Sequence, residues 1–257
     1  MPSRRTPNTT PAVLRGLQTA RDAWKNSPAS DRAITADQWA QLDDSNPNSL
    51  LSRMLKQVSD VDVALAMQAP LTSSLAQSAA RLTMFVSHFH QVLDFGITRG
   101  AFKPGARGYY GRDLNASTLP DLSTYDAVQQ AAQHIVDGEV ARDAVEDSPF
   151  VAMALPGAVE VGTVLAQFKA VRSQSIQAIT QTDHEREDVS ALYPEAQALA
   201  VDICDTVEFF YRKDPDASSR RAKAARWGVV YIYDASEPDA PPAPTPTPPP
   251  AGTVPAK

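Results

Sequence analysis

The sequence predicts a mainly α protein. The expected architecture is an up-and-down bundle of about five or six helices, with room for a small two-stranded β ribbon and a disordered proline-rich C-terminal tail. Three observations carry this reading. Val189, Leu192, Ala196, Leu199, Ile203, Thr206/Val207 and Phe210 recur at steps of three and four, the period of one helix face. Similar stripes recur along the chain with short breaks between them, which favours antiparallel neighbours. Residues 236–257 include nine prolines, a composition that removes backbone donors and favours extended, solvated chain over a core.

Taken in order, residues 1–9 read as a flexible leader, residues 10–234 as a single helical-bundle domain and residues 235–257 as the tail. Thr10 as cap and Pro11 at the first helical position open a helix with Val13, Leu14, Leu17, Ala20 and Trp24 on its face. Thr35 with Gln38 forms a capping-box pattern ahead of Trp39 and Leu42. Asn46-Pro47 restarts a helix carrying Leu50, Leu51, Met54, Leu55, Val58, Val61 and Leu65, which Pro70 is expected to end. A helix from about Thr72 to Arg99 follows, with Leu75, Ala79, Leu82, Phe85/Val86, Phe89 and Leu93 inward and Gly100 as its stop.

Ser123 or Thr124 caps the next helix, whose face is Val128, Ala132, Ile135 and Val136. Gly138 inside it points to a close helix contact, because a mid-helix glycine costs about 1 kcal/mol against alanine. Pro156 opens a helix bearing Val161, Val164, Leu165, Phe168, Val171 and Ile179. Pro194 predicts a kink or a fresh start within the last long stripe. After Asp214-Pro215 a short basic helix is expected. Gly228–Tyr233 is β-branched and aromatic, hence a strand, with Phe150–Met153 or another chain as its expected partner.

Composition narrows the function classes. A net charge of −6 argues against a nucleic-acid footprint. No apolar run approaches the roughly 20 residues of a membrane helix, and MPSRRTPNTT lacks the apolar core of a signal peptide. A cytoplasmic location is therefore expected, and the sequons at Asn8 and Asn115 carry no weight. Cys204 is the single cysteine, which excludes an intramolecular disulfide and reads as a buried structural thiol beside the stripe.

The four histidines suggest no metal. His88 and His90 stand about 200° apart round a helix, and no glutamate is followed by histidine three residues later, as a di-iron bundle requires. They read as surface or capping residues. No phosphate-binding glycine loop, dinucleotide fingerprint, zinc-protease motif or nucleophile elbow is present. No catalytic residue, metal or cofactor is assigned, and the balance leans away from an enzyme.

Two regions are candidates for binding. The connection from Gly100 to Pro120 is long for a compact domain. With Arg99 it places Lys103, Arg107 and Arg112 beside Tyr109 and Tyr110, a basic and aromatic patch on an acidic protein. It reads either as an anion or acidic-partner site or, preferably, as a loop folded back with its tyrosines buried and its arginines paired. Arg220, Arg221, Lys223 and Arg226 precede Trp227. The preferred reading is a solvated face anchored by Trp227, the alternative an interaction surface through Arg220, Arg221, Trp227 and Tyr231. Glu139 and Arg142, one turn apart beside Gly138, form either an exposed pair of little consequence or a buried one.

The order of GYYGRD, Leu119-Pro120-Asp121-Leu122, Gly138-Glu139 with Arg142, and Arg220-Arg221 with Trp227–Tyr231 resembles uncharacterised bacterial helical proteins with similar C-termini, over about the last 150 residues. That resemblance implies no activity. The expectation is a non-enzymatic interaction or scaffold protein whose tail engages a protein partner. The alternative is an anion- or small-molecule-binding protein or enzyme using the 99–112 loop, and a third reading is self-association through the 228–233 strand.

Overall fold

The computed structural model describes residues 3–115, 118–145 and 152–233. Among these residues the protein is mainly helical, with seven α-helices, one 3-10 turn and a two-stranded antiparallel sheet. The tail expected over 235–257 lies outside the described residues.

Strand β1 (Ser3–Arg5) is followed by α1 (Thr10–Asn26), α2 (Ala36–Leu42) and the long α3 (Leu50–Thr98). Then come the single-turn α4 (Ala106–Tyr109), α5 (Tyr125–Asp143), the long α6 (Ala158–Tyr211), α7 (Ala217–Ala225) and strand β2 (Val230–Ile232). The chain divides into two compact units, residues 1–58 with 188–257 and residues 59–187.

The caps follow local chemistry. Thr9, one residue earlier than expected, caps α1 by accepting from the Ala12 N–H. Thr35 and Gln38 make the reciprocal capping box of α2. Thr124 caps α5 and Asp216 caps α7. Gly100, at φ 75°, ends α3.

Pro70 does not end its helix, contrary to expectation, and of the two outcomes expected at Pro194 the fresh start does not occur: both prolines lie inside the continuous α3 and α6. Each removes a single backbone donor from a helix of about 50 residues, and the remaining bonds and the packed face carry the helix through.

The first unit has its own core. Val13, Leu17, Ala20, Leu42, Leu50, Leu51 and Met54 pack with Ala196, Ile203, Val207, Trp227 and Val229. The final stripe turns inward through Tyr211 (8% exposed) rather than Phe210 (43%), because Val207 and Tyr211 are four residues apart on the buried face. Beside this core the rings of Trp24 and Trp39 stack at 5.3 Å, with Arg32 over Trp24.

The predicted strand exists, but its partner is different. β2 pairs antiparallel with β1 in the register Ser3↔Ile232, Arg4↔Tyr231, Arg5↔Val230. Thus the stretch read as a flexible leader contains a strand. Ala152 and Met153 form none, and Phe150 and Val151 lie outside the described residues. Alternation along β1 sends Arg4 to Asp205 and Glu208 while Arg5 faces the other side.

The second unit closes over Leu82, Val86, Phe89 and Leu93 of α3, Ala131, Ala132 and Ile135 of α5, and Val161, Leu165 and Phe168 of α6. Nearer the middle of the long helices the buried face narrows to Ala64, Ser175 and Thr182, where Thr182 Oγ1 lies 3.0 Å from Gln68 Oε1. Leu65 and Ile179, expected inward, flank that narrow face and are exposed. Among the described residues no helix is long and apolar enough to cross a membrane.

Candidate functional site

The basic, aromatic loop folds onto the second unit, and its charged groups divide between two internal clusters. In the first, Asp94 of α3 receives Arg107 Nε at 2.8 Å and Arg112 Nη1 at 2.9 Å. Arg107 also donates to the Leu114 carbonyl, and Arg112, 7% exposed, to that of Thr118. Burial would raise the Asp94 pKa, but the hydrogen bonds from Arg107 and Arg112 outweigh it and hold the carboxyl below the usual range.

In the second cluster, Tyr110 is buried and its hydroxyl donates to Glu139 Oε2. Arg142, 1% exposed, donates through Nε to the same phenol oxygen at 2.8 Å and through Nη2 to Glu139 at 3.3 Å. The Met153 N–H completes Glu139 at 2.8 Å, and the Arg142 guanidinium lies over the Phe102 ring. Burial and the Glu139 carboxylate push the Tyr110 phenol upward, so it remains protonated well above neutrality. The Glu139–Arg142 pair is thus the buried one of the two possibilities, and Gly138 admits the loop beside it.

Of the six loop residues singled out by sequence, Arg107, Arg112 and Tyr110 are therefore internal struts. Tyr109 is half-buried with its carbonyl against Gly138. Arg99 and Lys103 are exposed.

His90 corrects the surface reading of the histidines. It is completely buried, and neither ring nitrogen has a hydrogen-bond partner. Burial first, and Arg112 second, lower its pKa to about 4, against a smaller opposing effect of Asp94. The signal was present in the sequence: His90 stands four residues after Val86 on the inward face.

In the first unit Trp227 is an anchor, 2% exposed, with Nε1 donating to Tyr211 Oη at 3.1 Å. Tyr211 in turn donates to Asp31 at 3.1 Å. Tyr231 donates to Glu208 at 2.6 Å, and Arg220 to the Asp214 carbonyl at 2.9 Å. Arg221 lies 5.7 Å from the Tyr233 ring. Lys223 pairs with Asp214, whose carboxyl is held down at about 2 chiefly by that hydrogen bond. This basic cluster is largely tied to its own unit.

One feature escaped sequence reading. A cavity of about 390 Å³ opens between the start of α1, the Ala200–Cys204 stretch of α6 and the segment Ala225–Val230. Cys204 lies on its wall, with its thiol raised by burial to about 11, which keeps it a neutral, weak nucleophile. Among the described residues no cluster of three or more histidine, cysteine or acidic side chains is placed to hold a metal ion.

Compared with known proteins, no family model, no curated protein and no solved structure matches this chain.

Proposed function

We propose that the protein is a non-enzymatic interaction protein of the cytoplasm, a helical body that presents its proline-rich C-terminal segment to a protein partner. The observation that carries this reading is the use made of its chemically capable groups. Glu139 engages Tyr110, Arg142 and the Met153 N–H, and Asp94 engages Arg107 and Arg112. These groups hold a loop in place instead of converging on an open site. The segment PPAPTPTPPP has the proline-rich composition that aromatic-lined grooves recognise.

The alternative use of the 99–112 loop as an anion site is weakened by the same geometry, since only Arg99 and Lys103 of its four cations stay exposed.

A pull-down from the native host with the full chain and with a form ending at residue 233, identified by mass spectrometry, tests the reading. A partner held by the full chain and lost with the tail, while both forms melt alike, supports it. Identical partners for both forms overturn it.

A further inference from the structure

We infer that the cavity of the first unit is a binding site for a small organic anion, one with a carboxylate, phosphate or sulfonate head on an apolar body. This site is separate from the tail-mediated interaction proposed above.

The volume, about 390 Å³, lies within the range of about 300–1,000 Å³ typical of small-molecule sites. Its lining is mixed: Leu17, Ile203, Trp227 and Val229 supply apolar surface, and Thr9, Thr19 and two arginines lie among the polar residues. Two arginines, Arg5 and Arg15, are among its lining residues, and no acidic residue is. Among the described residues neither arginine has an acidic partner, although the protein carries a net charge of −6. On α6, Asp205 and Glu208 are engaged by Arg4 on the other side of β1, Glu208 by Tyr231 as well, and Asp202 accepts from Gln38. Strand alternation therefore separates a neutralised arginine from an available one. Thr9 and Ala12 place the start of α1 on the same wall, where the helix dipole adds to the positive potential.

Gly16 supplies an independent observation. It sits inside α1, where glycine weakens a helix, and it lines the cavity. A Cβ built on it meets nothing within 4 Å, so packing does not demand glycine there. What a side chain at that position would occupy is the cavity itself. An arginine side chain recognises a two- or three-oxygen head group bidentately, and Trp227 and Ile203 offer apolar surface to the body of the ligand.

The test uses the full chain and two fluorescent probes of one shape, anilinonaphthalene sulfonate and its uncharged analogue N-phenylnaphthylamine. Four forms are titrated: the native chain, Gly16→Leu, Arg5→Gln with Arg15→Gln, and Arg5→Lys with Arg15→Lys, each checked for a native circular dichroism melt. The expected result is one saturable sulfonate site in the native chain, lost in Gly16→Leu for both probes. The double glutamine form weakens the sulfonate about tenfold or more with little change for the neutral probe, and the lysine pair restores part of the affinity. Absence of saturable sulfonate binding to the native chain, or binding that Gly16→Leu leaves untouched, overturns the site. Equal binding of both probes in native and glutamine forms overturns its preference for anions.

Discussion

A Cβ on Gly138 would lie 2.3 Å from the backbone oxygen of Tyr109 and 2.8 Å from Cδ1 of Tyr110. The glycine is what lets the loop carbonyl rest on α5, and with it the Tyr110 hydroxyl reach Glu139. Gly138→Ala should therefore destabilise the protein by about 2 kcal/mol or more, although helix propensity alone would favour alanine by about 1 kcal/mol. Urea denaturation measures the difference; a stabilised variant would mean that the loop is free to lift away.

The Arg142 guanidinium is the counter-charge of a carboxylate that sits largely out of water. Arg142→Met leaves Glu139 with the phenol and one N–H, and should lose about 3–5 kcal/mol. Adding Glu139→Gln to Arg142→Met removes the stranded charge and should recover part of that loss. If the double variant is no better than the single one, packing of Arg142 over Phe102 rather than charge carries the effect.

His90 makes the second unit sensitive to mild acid. Its pKa falls from the usual 6.5 to about 4 in the folded chain, so below pH 6.5 the unfolded chain binds the proton first. Stability should therefore decline as pH falls from about 6.5 to 4, with a full effect of roughly 3 kcal/mol from this group. His90→Leu should flatten that part of the profile. Its stability at pH 7 should match or exceed that of the native chain, because the imidazole makes no hydrogen bond there. Urea midpoints for both forms across this range give the comparison.

Pro70 and Pro194 are exposed and lie inside continuous helices. Replacing either by alanine restores a donor, to the carbonyl of Ala66 or Ser190, and should raise stability by about 1–3 kcal/mol. Thermal melts of the two single variants and their combination provide the measurement. A destabilised Pro70→Ala would show that a bend at that point is required by the packing around it.

The helical architecture was legible because its signals are local. Thr35 with Gln38, and Gly100 after its stripe, act over a few residues, and the observed caps fall within a residue of the pattern. The β pairing was not, because it joins Arg5 to Val230 across the length of the chain, and short apolar character at Phe150–Met153 cannot compete with a register that only the folded unit creates. Pro70 misled for a related reason: one missing hydrogen bond is small beside the packing of a whole helix face.

In the loop, composition identified Arg107, Arg112 and Tyr110 as unusual but not Asp94 and Glu139 as their partners, since a loop residue's position on a helix surface has no periodic signature. The cavity left one trace, Gly16 in mid-helix, which becomes informative only beside Arg5 and Arg15.

The pairing of Ser3 with Ile232 sets the first and last described strands side by side, like the two arms of a hairpin that lacks its turn. A tight turn joining residue 232 to residue 3 would close the main chain into a ring without moving either strand. That ring could then be reopened at an exposed turn elsewhere, such as Asn46–Asn48, giving a circular permutant with the same cores and the same cavity.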